Sequence, residues 1–159
     1  MAENEFMDLA TFLNSQPNYC VNDKNEVFHY GELVAEIFMG QNFSSHFLEK
    51  NKIFWQNIIS RELRPIEAIF VRGNNTVFII VKRTQKTSGS TDEKLGACNF
   101  KRQQYEKLLQ GKYNVKIIYL LGYWFDEEKY NDLLNYIRNS GCDYCSDYNA
   151  LFQKLGLQH

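Results

Sequence analysis

The apolar residues of this chain follow two rhythms. Residues 66–72 and 76–83 are dense in Ile, Val and Phe, which favour strands. Between them Gly73, Asn74 and Asn75 bring residue types that tolerate positive φ, so the pair predicts a hairpin. Residues 115–121, apolar apart from Lys116, predict a buried strand. Elsewhere the spacing is three to four. Leu33, Val34, Ile37 and Phe38 predict a helix over 30–39, and similar patterns predict helices over 6–13 and 47–59, the last ended by Pro65. Leu95, Arg102, Tyr105, Leu108 and Leu109 predict a helix over 92–110, and Tyr130, Leu133, Leu134 and Ile137 predict one over 126–139. A short strand over 142–145 and a helix over 148–155 complete the reading, with an irregular stretch through Asp23 and Asn25. Three helices, a hairpin, then alternating helices and strands predict an α/β fold built on a small mixed sheet.

The length of 159 residues suits one domain, 1–159, large enough to bury a core. An apolar share of 44% and only two prolines fit a folded chain rather than a disordered one. The net charge of -1 argues at first against a polyanion partner, but the charge is unevenly placed. Residues 1–60 are net -5, whereas residues 82–112 hold eight basic and three acidic side chains and are net +5. A concentrated positive stretch favours a polyanion, although many charge runs are only solvated helix faces. No apolar run exceeds five residues, and the acidic start (Met1, Ala2, Glu3) lacks the order of a signal peptide, so a cytoplasmic location is expected. Cys142 and Cys145 have the spacing of half a zinc knuckle. No second pair accompanies them, Cys20 and His29 being the spare ligands, so packing is the expected role. The three histidines have no partner pattern that suggests catalysis.

Residues 63–70, the apolar strand 77–81 with Lys82 and Arg83, the Ser/Gly loop 86–91 and the basic segment 100–107 with Gln103 and Gln104 together resemble type II restriction endonucleases of the PD-(D/E)XK nuclease superfamily. The likeness covers about residues 28–145, including the order of elements. It implies a restriction-endonuclease-like mixed central sheet with helices on both faces, and double-stranded DNA as partner. The family carries Pro-Asp at the start of one hairpin strand and Glu-x-Lys at the end of the next. The two carboxylates hold Mg²⁺, and the lysine stabilises charge beside the attacking water.

In this chain the pattern departs at each charged position. Pro65 is followed by Ile66, the second acid position is Val81, and the lysine position is Arg83. Aliphatic side chains cannot ligate Mg²⁺, which requires oxygen donors. The resemblance therefore implies a DNA-interacting protein impaired in cleavage, a pseudo-nuclease with no metal requirement. Lys86, Ser88, Ser90, Lys94, Lys101, Arg102 and Gln104 are its candidate DNA contacts. It would work as a homodimer or beside a partner nuclease subunit. An alternative is an active Mg²⁺-dependent nuclease with relocated groups: Glu67 and Lys82 replace the motif residues, and Glu36 or Glu32, on the helix expected before the hairpin, adds an outer carboxylate. That rescue needs a bulge, because a one-residue shift turns a strand side chain to the other face. Plainer readings make Glu67 a solvent-facing strand residue, Lys82 an edge charge and 87–90 a linker. A third alternative is a protein-interaction or inhibitor module working through the acidic segments 1–60 and 126–132.

Overall fold

A computed structural model describes residues 7–83, 97–122 and 128–158. Its centre is a seven-stranded mixed sheet whose strands lie side by side in sequence order. The strands are β1 (Tyr19–Val21), β2 (Glu26–His29), β3 (Glu32–Phe38), β4 (Glu67–Val71), β5 (Thr76–Arg83), β6 (Asn114–Leu121) and β7 (Asp143–Cys145). The first five pair antiparallel; β6 joins β5, and β7 joins β6, in parallel. Parallel pairing needs a crossover. The return from β5 to β6 carries α2 (Cys98–Leu109), and the return from β6 to β7 carries α3 (Asn131–Asn139). The helix α1 (Leu9–Asn14) precedes the sheet and α4 (Tyr148–Leu155) follows it.

The expected α/β class and mixed sheet are present, with helices on both faces. The central strands are buried on both sides, which explains their near-continuous apolar runs. Alternate residues feed two cores. Ala68, Val77, Ile79, Val81, Ile117 and Tyr119 face α2, α3 and the segment 43–59. Ile69, Val71, Phe78, Ile80, Ile118 and Leu120 face α1 and α4.

Two predicted helices are replaced by other structure. Residues 32–38 form β3, and Tyr30 and Gly31 make a two-residue hairpin turn with φ of 52° and 79° between β2 and β3. The pattern that suggested a helix arises because β3 packs on both faces, with Ala35 and Ile37 in one core and Phe38 in the other. In place of the helix expected over 47–59 stand the end of a π-helical segment, Phe43–Leu48, and a 3₁₀ turn, Trp55–Asn57. Lys52, with φ of 59°, breaks the helical path between them. Phe43 and Phe47 stack there at 5.4 Å and fill the first core. The irregular stretch of the sequence reading contains β1 and β2, turned by Asn22, whose Oδ1 accepts from the backbone N–H groups of Lys24 and Glu26.

One side chain fastens α2 to the turn after α3. Arg102 Nε donates to the Ser140 carbonyl at 2.7 Å, and its two terminal nitrogens donate to Glu106 and Asn99 at 2.8 Å each. Gly141 lies under this guanidinium with φ of 85°, and a Cβ there would stand 2.7 Å from Arg102 Nε. Gly141→Ala is therefore expected to destabilise the protein by about 2 kcal/mol, from left-handed strain and the displaced arginine. Thermal or urea unfolding measures it.

Candidate functional site

The resemblance directs attention to the start of β4 and the end of β5. Pro65 is buried, and its carbonyl accepts from the Gly40 backbone N–H at 2.7 Å, which fixes the approach to β4. Ile66 is left 71% exposed just before that strand. Period-two geometry then sets Ile79 and Val81 into the first core, with Arg83 next on the same face at the strand end. From α2 and its cap, Ala97, Phe100, Lys101, Gln104 and Tyr105 recur at helical spacing along one stripe. These three elements enclose a cavity of about 590 Å³ beyond the carboxyl end of β5. Ile66, Val81 and Arg83, which the resemblance sets at the charged positions of the family pattern, all line it.

The cavity is strongly one-signed. Arg61, Arg64, Arg83 and Lys101 line it, with Glu62 as the acidic member. Glu62 is already paired to Arg64 at 3.0 Å, and this hydrogen bond holds its carboxyl below the usual range. Among the described residues no carboxylate pairs with Arg83 or Lys101. Burial lowers the proton affinity of Lys101, and the nearby Arg83 charge lowers it further. Beneath the floor lies Tyr119, whose buried hydroxyl has no hydrogen-bond partner among the described residues. Burial pushes its phenol well up, and Arg83 acts in the opposite sense.

Comparison with protein families, with curated proteins and with solved structures finds no match for this chain. The site is therefore read from its own geometry.

The relocated-acid alternative meets a different arrangement. Glu67 is only 3% exposed, so it is not a solvent-facing residue. It points to the face opposite the cavity, alongside Ile69 and Val71. Its Oε2 accepts from the Leu9 backbone N–H at 3.0 Å, and its Oε1 lies 2.8 Å from Lys82 Nζ. Lys82 also donates to the Met7 carbonyl and lies over the Tyr148 ring. This cluster anchors the start of α1 to the sheet and α4. Lys82 is no edge charge either, because β5 lies between β4 and β6. Glu36 stands on β3, not on a helix, opposite Phe70 on the other face from Glu67. It borders a separate cavity of about 530 Å³ with Asp23, Glu26 and His46. Glu32 is on β3 as well, paired across the hairpin with His29. Glu36 and Glu67 therefore cannot share one Mg²⁺, and Ile66 and Val81 offer it no oxygen. No group of three or more His, Cys, Asp or Glu side chains suited to a metal occurs among the described residues.

Of the candidate DNA contacts, Lys101 and Gln104 line the cavity, whereas the Arg102 guanidinium is occupied by its clamp. Lys86, Ser88, Ser90 and Lys94 lie outside the described residues. Arg61, Arg64 and Phe100 line the cavity without having been singled out as contacts in the sequence. Their signal was adjacency: two arginines stand within four residues before Pro65, and Phe100 precedes Lys101 on the helix stripe.

Cys142 and Cys145 do not form a ligand pair. Cys142 belongs to the first core and Cys145 to the second, on opposite faces of the sheet. Burial pushes each thiol up to about 12, so both stay protonated at pH 8. Cys98 is buried too, and its carbonyl accepts from the Cys142 thiol. A thiol reagent at pH 8 is expected to modify Cys20 alone quickly in the native protein, and the other three only after unfolding. Fast reaction of a second thiol would contradict this packing.

Proposed function

We propose that this chain is a DNA-interacting protein of restriction-endonuclease-like descent, which grips phosphates in the cleft at the end of β5 and does not cut them. The carrying observation is the cavity in which aliphatic Ile66 and Val81 occupy the acid positions while Arg61, Arg64, Arg83 and Lys101 surround them. The succession of antiparallel β3, β4 and β5, then α2, then parallel β6 is in keeping with the element order of that superfamily. A working site of this kind balances its cations with two carboxylates and a metal. Here Glu62 pairs with Arg64, and among the described residues no carboxylate balances Arg83 or Lys101, so a polyanion can supply negative charge there.

The experiment is an electrophoretic mobility shift on duplex DNA at low and high salt, beside plasmid incubation with Mg²⁺ or Mn²⁺. The expected result is a shifted band that fades as salt rises, with the plasmid intact. No shift at low salt with duplex or with single-stranded DNA removes the DNA reading. Metal-dependent linearisation of the plasmid removes the non-cutting one.

A further inference from the structure

Phosphate binding alone leaves part of the cleft unexplained. Two large apolar side chains stand in water along its walls: Ile66 at 71% exposure and Phe100 at 64%. They come from different elements, the loop before β4 and the first turn of α2, yet line one cavity together with Arg83 and Lys101. Exposed apolar surface beside convergent cations is the composition of sites that hold a flat base and its charged backbone together. The cavity volume of about 590 Å³ falls within the range that admits a nucleotide-sized group.

Resting on the DNA reading above, we propose that the cleft takes an unpaired DNA strand, stacking a base on Phe100 and seating the adjoining phosphate on Arg83 and Lys101. A duplex fits this surface less well. Its bases are stacked and turned inward, so Phe100 and Ile66 would face charged backbone and lose hydration without gaining a flat partner. An unpaired strand offers both chemistries at once. The base covers the phenyl ring, and the phosphate relieves the repulsion between two cations that pair with no carboxylate among the described residues. The helix stripe explains the pairing of roles, because Phe100 and Lys101 are adjacent residues that both border the cavity.

Fluorescence anisotropy with labelled oligothymidylate and with a duplex of equal length tests the proposal. The single strand is expected to bind more tightly. Phe100→Ala is expected to weaken single-strand binding roughly ten- to hundredfold and so to narrow its preference over the duplex. Phe54→Ala, at an exposed aromatic outside the cleft, is expected to change neither. Phe100→Trp is expected to retain binding, and its additional emission is expected to be quenched by oligothymidylate. Equal affinity for both forms, wild-type single-strand binding by Phe100→Ala, or unquenched emission from Phe100→Trp would overturn the proposal and leave the phosphate-binding reading standing. Absence of binding to either form at low salt would overturn both.

Discussion

Glu67→Ala is expected to lower the thermal midpoint by about 10 °C without weakening DNA binding. The carboxylate is buried and answers two groups at once, the Lys82 ammonium at 2.8 Å and the Leu9 backbone N–H at 3.0 Å. Truncation leaves the Leu9 N–H without its acceptor and Lys82 with the Met7 carbonyl but without its counter-ion. Breaking a buried ion pair from one side costs about 3–5 kcal/mol, and the partial exposure of Lys82 places this case near 3. At roughly 2–4 °C per kcal/mol for a chain of this size, the shift is about 10 °C. Glu67→Gln keeps an oxygen for Leu9 and is expected to lose less. Adding Lys82→Met to Glu67→Ala is expected to recover part of the loss, because no unpaired ammonium remains. Since Glu67 faces away from the cleft, the affinity for DNA stays as it was. A large loss of affinity with an unchanged midpoint would assign Glu67 to the site instead.

The double change Arg83→Ala and Lys101→Ala is expected to do the reverse. Each cation that contacts a phosphate contributes about 1.5 kcal/mol, or about tenfold in affinity. Removing each is expected to flatten the dependence of log affinity on log salt by about one unit. Stability is expected to hold or rise. Burial and Arg83 both hold the Lys101 ammonium below its ordinary proton affinity. A lysine with a lowered folded-state pKa costs stability wherever it stays charged, and that cost fades only as pH rises through the folded value. Removing the charge at pH 7 removes the cost. A titration across two salt concentrations, with a melting curve on the same samples, separates the outcomes. A fall in midpoint matching the loss of affinity would make these residues structural.

The sequence shows the centre of this fold more clearly than its first edge. β4, β5 and β6 are apolar on both faces and bounded by turn chemistry, so their runs can be read directly. α4 matches its pattern from Tyr148 to Leu155, with Asp147 accepting from the Ala150 N–H at its start. β1 and β2 escape detection because they are only three and four residues long and interspersed with polar side chains. β3 mimics a helix because both of its faces are covered, and the tight turn before it uses Tyr30, a residue that does not advertise positive φ. The site is half legible. The motif positions Ile66, Val81 and Arg83 can be placed by strand parity, and they meet at one cavity. The opposite-facing pair of Glu67 and Lys82 follows from the same parity. What parity cannot give is the loop carrying Arg61 and Arg64, whose path depends on the Gly40 and Pro65 contact between distant residues.

The strand order has a consequence for how the chain reaches this form. Each strand of the sheet lies beside the one that precedes it in sequence, so a polypeptide emerging from the ribosome finds its template already laid down. Growth can proceed from the β1 side towards β7 with no strand required to insert between two others. The longer excursions, through 39–66 and through the two helical returns, add loop-closure entropy that grows only slowly with length. A pause in synthesis after β5 leaves one strand flank unpaired and no gap within the sheet, while the two faces that α2, α3 and α4 later cover stay open.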